Sequence, residues 1–160
     1  MGDWAGFFEA EVGAAAALTG LVMVAISINL ERILADPGLP GRAAETLVAP
    51  SGVLVIASLA LVPGQPLWLF GIEAIVVGAA LVLASALALT GVRRLLHQVG
   101  PGYIVGRVTV SALSSLPFIV SGVLLLLESP SALYWMVPGV VVSLVSTVLN
   151  AWVLLVEILR

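Results

Sequence analysis

Long apolar stretches dominate the chain, and polar residues gather in the short gaps between them. Five stretches reach or approach the ~20 residues that an α-helix, rising ~1.5 Å per residue, needs to cross a hydrocarbon layer. They run from Glu9 to Leu34, Ala43 to Val62, Leu67 to Leu96, Arg107 to Leu127 and Leu133 to Leu159. The strict apolar–polar alternation of a membrane barrel is missing from the sequence. The gaps carry turn chemistry. Asp36-Pro37-Gly38-Leu39-Pro40-Gly41 sets two Pro-Gly pairs where a helix is not expected to continue, and Pro63-Gly64-Gln65-Pro66 reads as a tight hairpin. Gly100-Pro101-Gly102 and Glu128-Ser129-Pro130-Ser131 separate the remaining stretches. The pattern predicts an all-α polytopic membrane protein, a single bundle of five transmembrane helices over residues 1–160.

Composition agrees. Of 160 residues, 61% are hydrophobic and 9% charged, with mean hydropathy +1.23. A soluble domain carries about 25% charged residues, so a globule in water is excluded, and the chain is far too apolar for disorder. The absence of cysteine removes disulfides and thiolate chemistry. A net charge of −3 leaves no basic surface for nucleic acid. The leader Met1–Glu11 holds Asp3, Glu9 and Glu11 but no basic residue, so the first stretch is not expected to be a cleavable signal peptide.

Charge placement changes the picture from five helices to an oriented bundle. With five crossings, Arg32, Arg42, Arg93, Arg94, Arg107 and Arg160 all fall at one end, and these are all the basic residues in the chain. Asp3, Glu9, Glu11, Glu73 and Glu128 fall at the other. Short cytoplasmic loops collect arginine and lysine, so the N-terminus is expected outside and the C-terminus in the cytoplasm, in a bacterial inner (plasma) membrane. Four or six crossings would scatter the arginines over both faces. Trp4, Phe7, Phe8, Trp68, Phe70, Tyr134 and Trp135 are read as anchors at the outer boundary, Tyr103 and Trp152 as anchors at the inner one.

Projection at 100° per residue sorts the faces. On the first helix, Glu9, Gly13, Ala16, Gly20, Ser27 and Glu31 share a narrow arc, with Glu11 and Asn29 opposite. The third helix has a small face of Gly71, Ala74, Gly78 and Ser85, and another of Glu73, Ala80, Ala84 and Gly91. The fourth carries Arg107, Ser111, Ser114, Ser121 and Gly122. The fifth carries the most polar stripe: Gly139, Ser143, Ser146, Thr147, Asn150 and Glu157. Two readings stand. Small residues let helices approach and hydroxyls bond the preceding turn, which is ordinary packing; or helices one, four and five line a hydrated path. Asn150 discriminates, because its amide needs an outside partner, with Asn29 at a comparable depth, or water.

The carboxylates divide similarly. Glu73, ~9 Å past the helix start, faces protein, water or headgroups, or takes up a proton. Glu9, Glu11 and Glu128 form a solvated rim or an acidic vestibule that concentrates cations. Glu31, Glu45 and Glu157 stand near the inner arginines as ion-pair partners, and Glu45 also suits the first turn of the second helix. Pro50, Pro117 and Pro138 lie inside spans, where each frees a carbonyl and permits a kink.

No catalytic constellation is visible, so the chain is not read as an enzyme. His97, the one histidine, sits in a loop beside Arg93 and Arg94, and no metal-ligand spacing or nucleophile elbow occurs. No metal and no cofactor are expected. The segment Ser27-Ile28-Asn29-Leu30-Glu31-Arg32-Ile33-Leu34, followed by Pro37-Gly38-Leu39-Pro40-Gly41-Arg42-Ala43-Ala44-Glu45-Thr46-Leu47, resembles a stretch shared by bacterial multi-pass membrane proteins, some labelled modulators of a membrane-bound AAA protease. The resemblance covers about 20 residues and implies a regulatory role, with no catalytic residue. The two functional expectations are therefore a homo-oligomeric protein conducting an ion, proton or small solute, and a non-catalytic accessory subunit that binds other membrane proteins.

Overall fold

The computed structural model describes residues 2–35, 39–95 and 101–159. Arg93, Arg94, His97, Tyr103, Glu157 and Arg160, singled out above, lie outside the residues whose side chains are described. A 3₁₀ turn (Gly2–Trp4) leads into α1 (Ala5–Ile28), α2 (Leu30–Ala35), α3 (Leu39–Ala60), α4 (Leu67–Leu95) and α5 (Pro101–Leu126). A second 3₁₀ turn (Ala132–Trp135) then opens α6 (Met136–Leu159). There is no strand among the described residues. Five helices, α1 and α3 to α6, are long and apolar enough to cross a membrane.

Several boundaries differ from expectation, each for a local reason. The first helix starts at Ala5, a turn earlier than Glu9, and breaks at Asn29 instead of running through to Leu34. There Asn29 adopts φ −103° and ψ 14°, outside the helical well, and α2 restarts as a short helix. The Pro-Gly pairs do not stop the second and fourth stretches. Pro40 lies in the first turn of α3 and Pro101 opens α5, positions where a missing N–H costs nothing. Pro138 is likewise in the first turn of α6, so it breaks no helix, contrary to its reading as an interior proline. Pro50 and Pro117 are interior and buried, with helix on both sides.

Where α5 ends, Glu128 takes φ 54°. Ser129 N–H donates to the Leu124 carbonyl at 2.9 Å and Glu128 N–H to that of Leu125 at 3.1 Å, a Schellman cap with Glu where glycine is usual. Gly64, at φ 70°, supplies the left-handed position of the α3–α4 turn.

Four helices close into a ring: α3 packs on α4 and α6, and α5 packs on the same two. The α1 helix lies outside this ring against α3 and α6. It buries only Phe8, Ala15 and Val22, at seven-residue spacing, and leaves its other faces open. Close contact within the ring rests on small residues. Gly71 meets Gly122 between α4 and α5, Gly78 meets Ser115 and Ile119, and Gly52 on α3 faces the Leu81 side chain. Such approaches suit association in lipid, which depends on packing and not on expulsion of water.

Packing is uneven along the axis. The end that carries Glu9, Glu73 and Glu128 is filled by Phe8, Phe70, Phe118, Met136 and Val140, all essentially inaccessible. An aromatic chain crosses it: Trp4 meets Phe7, Phe8 and Tyr134, and Phe8 meets Phe70 edge-on at 6.1 Å. Phe8 and Phe70 are thus core residues and not boundary anchors, whereas Trp68, Tyr134, Trp135 and Trp152 are exposed. Arg32, Arg42 and Arg107 lie toward the opposite end.

Candidate functional site

Glu45 lies six residues after the start of α3, and Arg107 six residues after the start of α5. At ~1.5 Å per residue both sit ~9 Å along their helices. Since both helices start at the arginine end, the two side chains meet at one height across the ring. Arg107 Nη2 pairs with Glu45 Oε2, and each side chain is 19% exposed. The pair joins two helices that are diagonal in the ring and not packed neighbours. Burial forces this contact: a charge this far into an apolar helix is costly alone, and its opposite partner removes much of the penalty.

A half-open cavity of about 180 Å³ lies beside the pair, lined by residues of all four ring helices, with exposed Val110, Leu149 and Asn150 at its mouth. Glu45, Val48 and Ala49 of α3 form one wall, Leu81 and Ser85 of α4 the next. Arg107, Ser111, Ser114 and Ser115 of α5 and Ser146 and the exposed Asn150 of α6 complete the lining. A second cavity, about 200 Å³, lies on the other side of the pair between α4 and α5, where exposed Val82, Val108 and Leu116 make its rim apolar. Glu45, Ser85, Arg107 and Ser111 border both.

Hydrogen bonding divides the polar lining into two kinds. Ser114 Oγ donates to the Ser111 carbonyl at 2.9 Å, and Ser146 Oγ to the Ser143 carbonyl at 3.0 Å. Their protons are used within the helix, so toward the cavity they present acceptor lone pairs. The side chains of Ser85, Ser111, Ser115 and Asn150 make no hydrogen bond among the described residues. These keep donors as well as acceptors for a bound molecule or water.

The remaining expected residues fall elsewhere. Asn29 does not partner Asn150: its amide donates to the Ala25 carbonyl of its own helix at 2.9 Å. Thr147 Oγ1 donates to the Ser143 carbonyl at 2.7 Å, and Ser143 itself is fully buried with a hydroxyl that finds no partner. Ser121 Oγ ties α5 to the Ala132 carbonyl at 2.7 Å, far from the cavity, and Gly139 packs on Phe118. Glu9, Gly13, Ala16, Gly20 and Ser27 on α1 and Glu31 on α2 are exposed, and none of them lines either cavity. The walls come from α3, α4, α5 and α6. Glu11 keeps one buried oxygen without a hydrogen bond, while Glu73, half buried, accepts from the Gln65 amide across the α3–α4 turn. Arg32 is exposed and Arg42 half buried, one turn before Glu45 on α3. No group of three or more potential metal ligands occurs among the described residues.

No protein-family model matches the chain, and neither a curated protein nor a solved structure is similar enough to count as a match. The site must speak through its chemistry alone.

Three of its members were not singled out as site residues from the sequence. In the sequence Glu45 reads as an ion-pair partner of the inner arginines, with none of them singled out. Ser85 was placed on a packing face, and Ser115 carried no signal, although it lies four positions after Ser111 and hence on the same stripe.

Proposed function

We propose that the protein is a multi-pass membrane protein of the cytoplasmic membrane that binds a small polar solute between α3, α4, α5 and α6 and passes it across the bilayer. The N-terminus is outside and the arginine end is cytoplasmic, as the one-sided placement of the arginines favours. The observation that carries the reading is the ion pair of Glu45 and Arg107 beside a cavity bordered by Ser85, Ser111, Ser115 and Asn150, whose side chains make no hydrogen bond among the described residues. Polar groups in an apolar layer are expensive unless something pairs with them. A solute arriving from the cytoplasm supplies those partners. The aromatic packing at the far end then acts as the closed gate of this conformation, and alternation requires α4 or α6 to move against the ring.

The test is flux through the purified full chain in liposomes, with radiolabelled serine, lactate, ethanolamine and glycerol and with potassium and proton gradients as probes. Uptake of at least one probe that falls at least tenfold in Asn150→Leu supports the reading. Liposomes that hold every gradient overturn it.

An accessory role is the second reading, favoured by one observation. On α1, a Cβ built at Gly6, Gly13 or Gly20 meets nothing within 4 Å. This open face, at seven-residue spacing, fits close approach by a further helix. Self-association through it is expected in the solute-binding reading. Crosslinking from Gly13→Cys in native membranes then gives a dimer; a product with a different membrane protein supports the accessory role.

A further inference from the structure

We infer that the mouth between α4 and α5 binds an anionic phospholipid from the leaflet at the arginine end of the bundle. This goes beyond the solute-binding reading and holds with or without transport. Three observations lead there. First, the mouth opens sideways. Val82 and Ala86 on α4 and Val108 and Leu116 on α5 border it and are exposed on the outside of the bundle. They lie within the stretches Leu67–Ala88 and Val105–Leu126, which are long and apolar enough to span a bilayer. At that depth the neighbours are acyl chains. A lipid reaches the opening without leaving its leaflet, whereas a dissolved molecule must first enter the hydrocarbon.

Second, the lining changes polarity with depth in the order that a phospholipid does. Arg107, Ser111 and Leu116 follow one another along α5, so Ser111 lies ~6 Å and Leu116 ~14 Å farther in than Arg107. The contacts of Gly71 with Gly122 and of Gly78 with Ser115 fix the antiparallel register, which sets Ser85 level with Val108 and Val82 level with Ser111. From the arginine end inward the lining passes from charge through two hydroxyls to aliphatic side chains, matching phosphate, ester carbonyls and acyl chain. Third, the two hydroxyls are open. Ser27 and Ser58, exposed elsewhere on the bundle, donate to carbonyls four residues back at 2.8 and 2.7 Å. Ser85 and Ser111 make no hydrogen bond among the described residues, and an unbonded hydroxyl beside hydrocarbon is costly. The ester carbonyls of a lipid accept from both.

Charge selects an anionic headgroup. Arg42, one turn before Glu45 on α3, acts on Arg107 as a second positive charge. Along the sequence, six arginines fall at this end against Glu31, Asp36, Glu45 and Glu157. An excess of arginine at headgroup level attracts anionic lipid. The attraction is long-range and does not depend on which hydrogen bonds the guanidiniums make.

The experiment is native mass spectrometry of the purified full chain in detergent. The probes are phosphatidylglycerol and phosphatidylcholine with the same acyl chains, and glycerol 3-phosphate as the soluble counterpart. The chain is expected to retain phosphatidylglycerol about fivefold more than phosphatidylcholine, the factor equivalent to one arginine at an anionic surface. Ala86→Trp fills the mouth from an exposed position and should abolish that preference. Val76→Trp, also exposed on α4 but outside both cavities, should leave it unchanged. Should Ala86→Trp fail to fold, Ser85→Ala combined with Ser111→Ala adds no bulk and takes its place, with an expected drop of about fivefold. Equal retention of the two lipids, retention of neither, or a preference that survives in the mouth variant overturns the site. The same loss in Val76→Trp means lipid held around the whole bundle and overturns it too. Glycerol 3-phosphate that displaces phosphatidylglycerol assigns the charged end to a free phosphate and overturns the lipid. Flux in liposomes is read separately, so this site and the solute-binding reading can fall independently.

Discussion

Gly71 and Gly122 touch backbone to backbone: a Cβ built on Gly122 would lie 2.5 Å from the Gly71 carbonyl oxygen, and one on Gly71 would lie 2.9 Å from that of Gly122. No side chain can move aside to make room, so a methyl group at either position pushes α4 and α5 apart. Gly122→Ala should cost about 1–3 kcal/mol, the range for overpacking. Gly13→Ala, whose Cβ meets nothing within 4 Å, should leave the stability of the monomer unchanged. Thermal unfolding in detergent, followed by circular dichroism, separates the two.

Phe8 and Trp68 make a second contrast. Both are aromatic residues near the same end, yet Phe8 is 1% exposed and Trp68 57%. Phe8→Ala should lower stability by about 3 kcal/mol, the low end of the range for a buried aromatic because lipid offers the unpacked ring an apolar surrounding. Trp68→Ala should change it by no more than ~0.5 kcal/mol. The same unfolding assay reads both.

Glu128 holds the left-handed position at the end of α5. A side chain there costs about 1–2 kcal/mol that glycine avoids, offset in part by the greater freedom of glycine in the unfolded chain. Glu128→Gly should therefore raise stability by about 0.5–1 kcal/mol, seen as a higher Tm. Glu128→Ala, which keeps a Cβ, should not.

Glu45 and Arg107 should be coupled. Removing one partner leaves the other charge uncompensated, a loss of about 3–5 kcal/mol in a dry core and about 0–1 kcal/mol at a surface. With each side chain 19% exposed, Glu45→Gln should fall between, near ~2 kcal/mol. The exchange Glu45→Arg with Arg107→Glu should recover most of it. A double-mutant cycle on unfolding free energies measures the coupling.

The fold was largely legible because five long apolar runs have one economical use in a membrane. The Leu67 start and the α3–α4 hairpin follow from the pattern alone. Errors arose where residue type was weighed without position: Pro40 and Pro101 read as stops, yet each sits in a first turn, where proline is welcome. The Asn29 break was invisible because its flanks are as apolar as the helix they interrupt. Facial projection placed Ser111, Ser114, Ser146 and Asn150 on polar stripes, and these do border one cavity. It did not show that α1 lies outside the ring, since projection describes one helix at a time and not which helix stands beside it. For the same reason the partner of Glu45 could not be chosen among six arginines. That choice depends on two helices starting level with each other.

The most direct test uses the absence of cysteine from the chain. Ser111, half buried and bordering both cavities, is replaced by cysteine as the sole thiol, and a membrane-impermeant maleimide is applied to right-side-out and inverted membrane vesicles. Labelling is expected in inverted vesicles alone. Labelling from the outer face, or none from either, would contradict it.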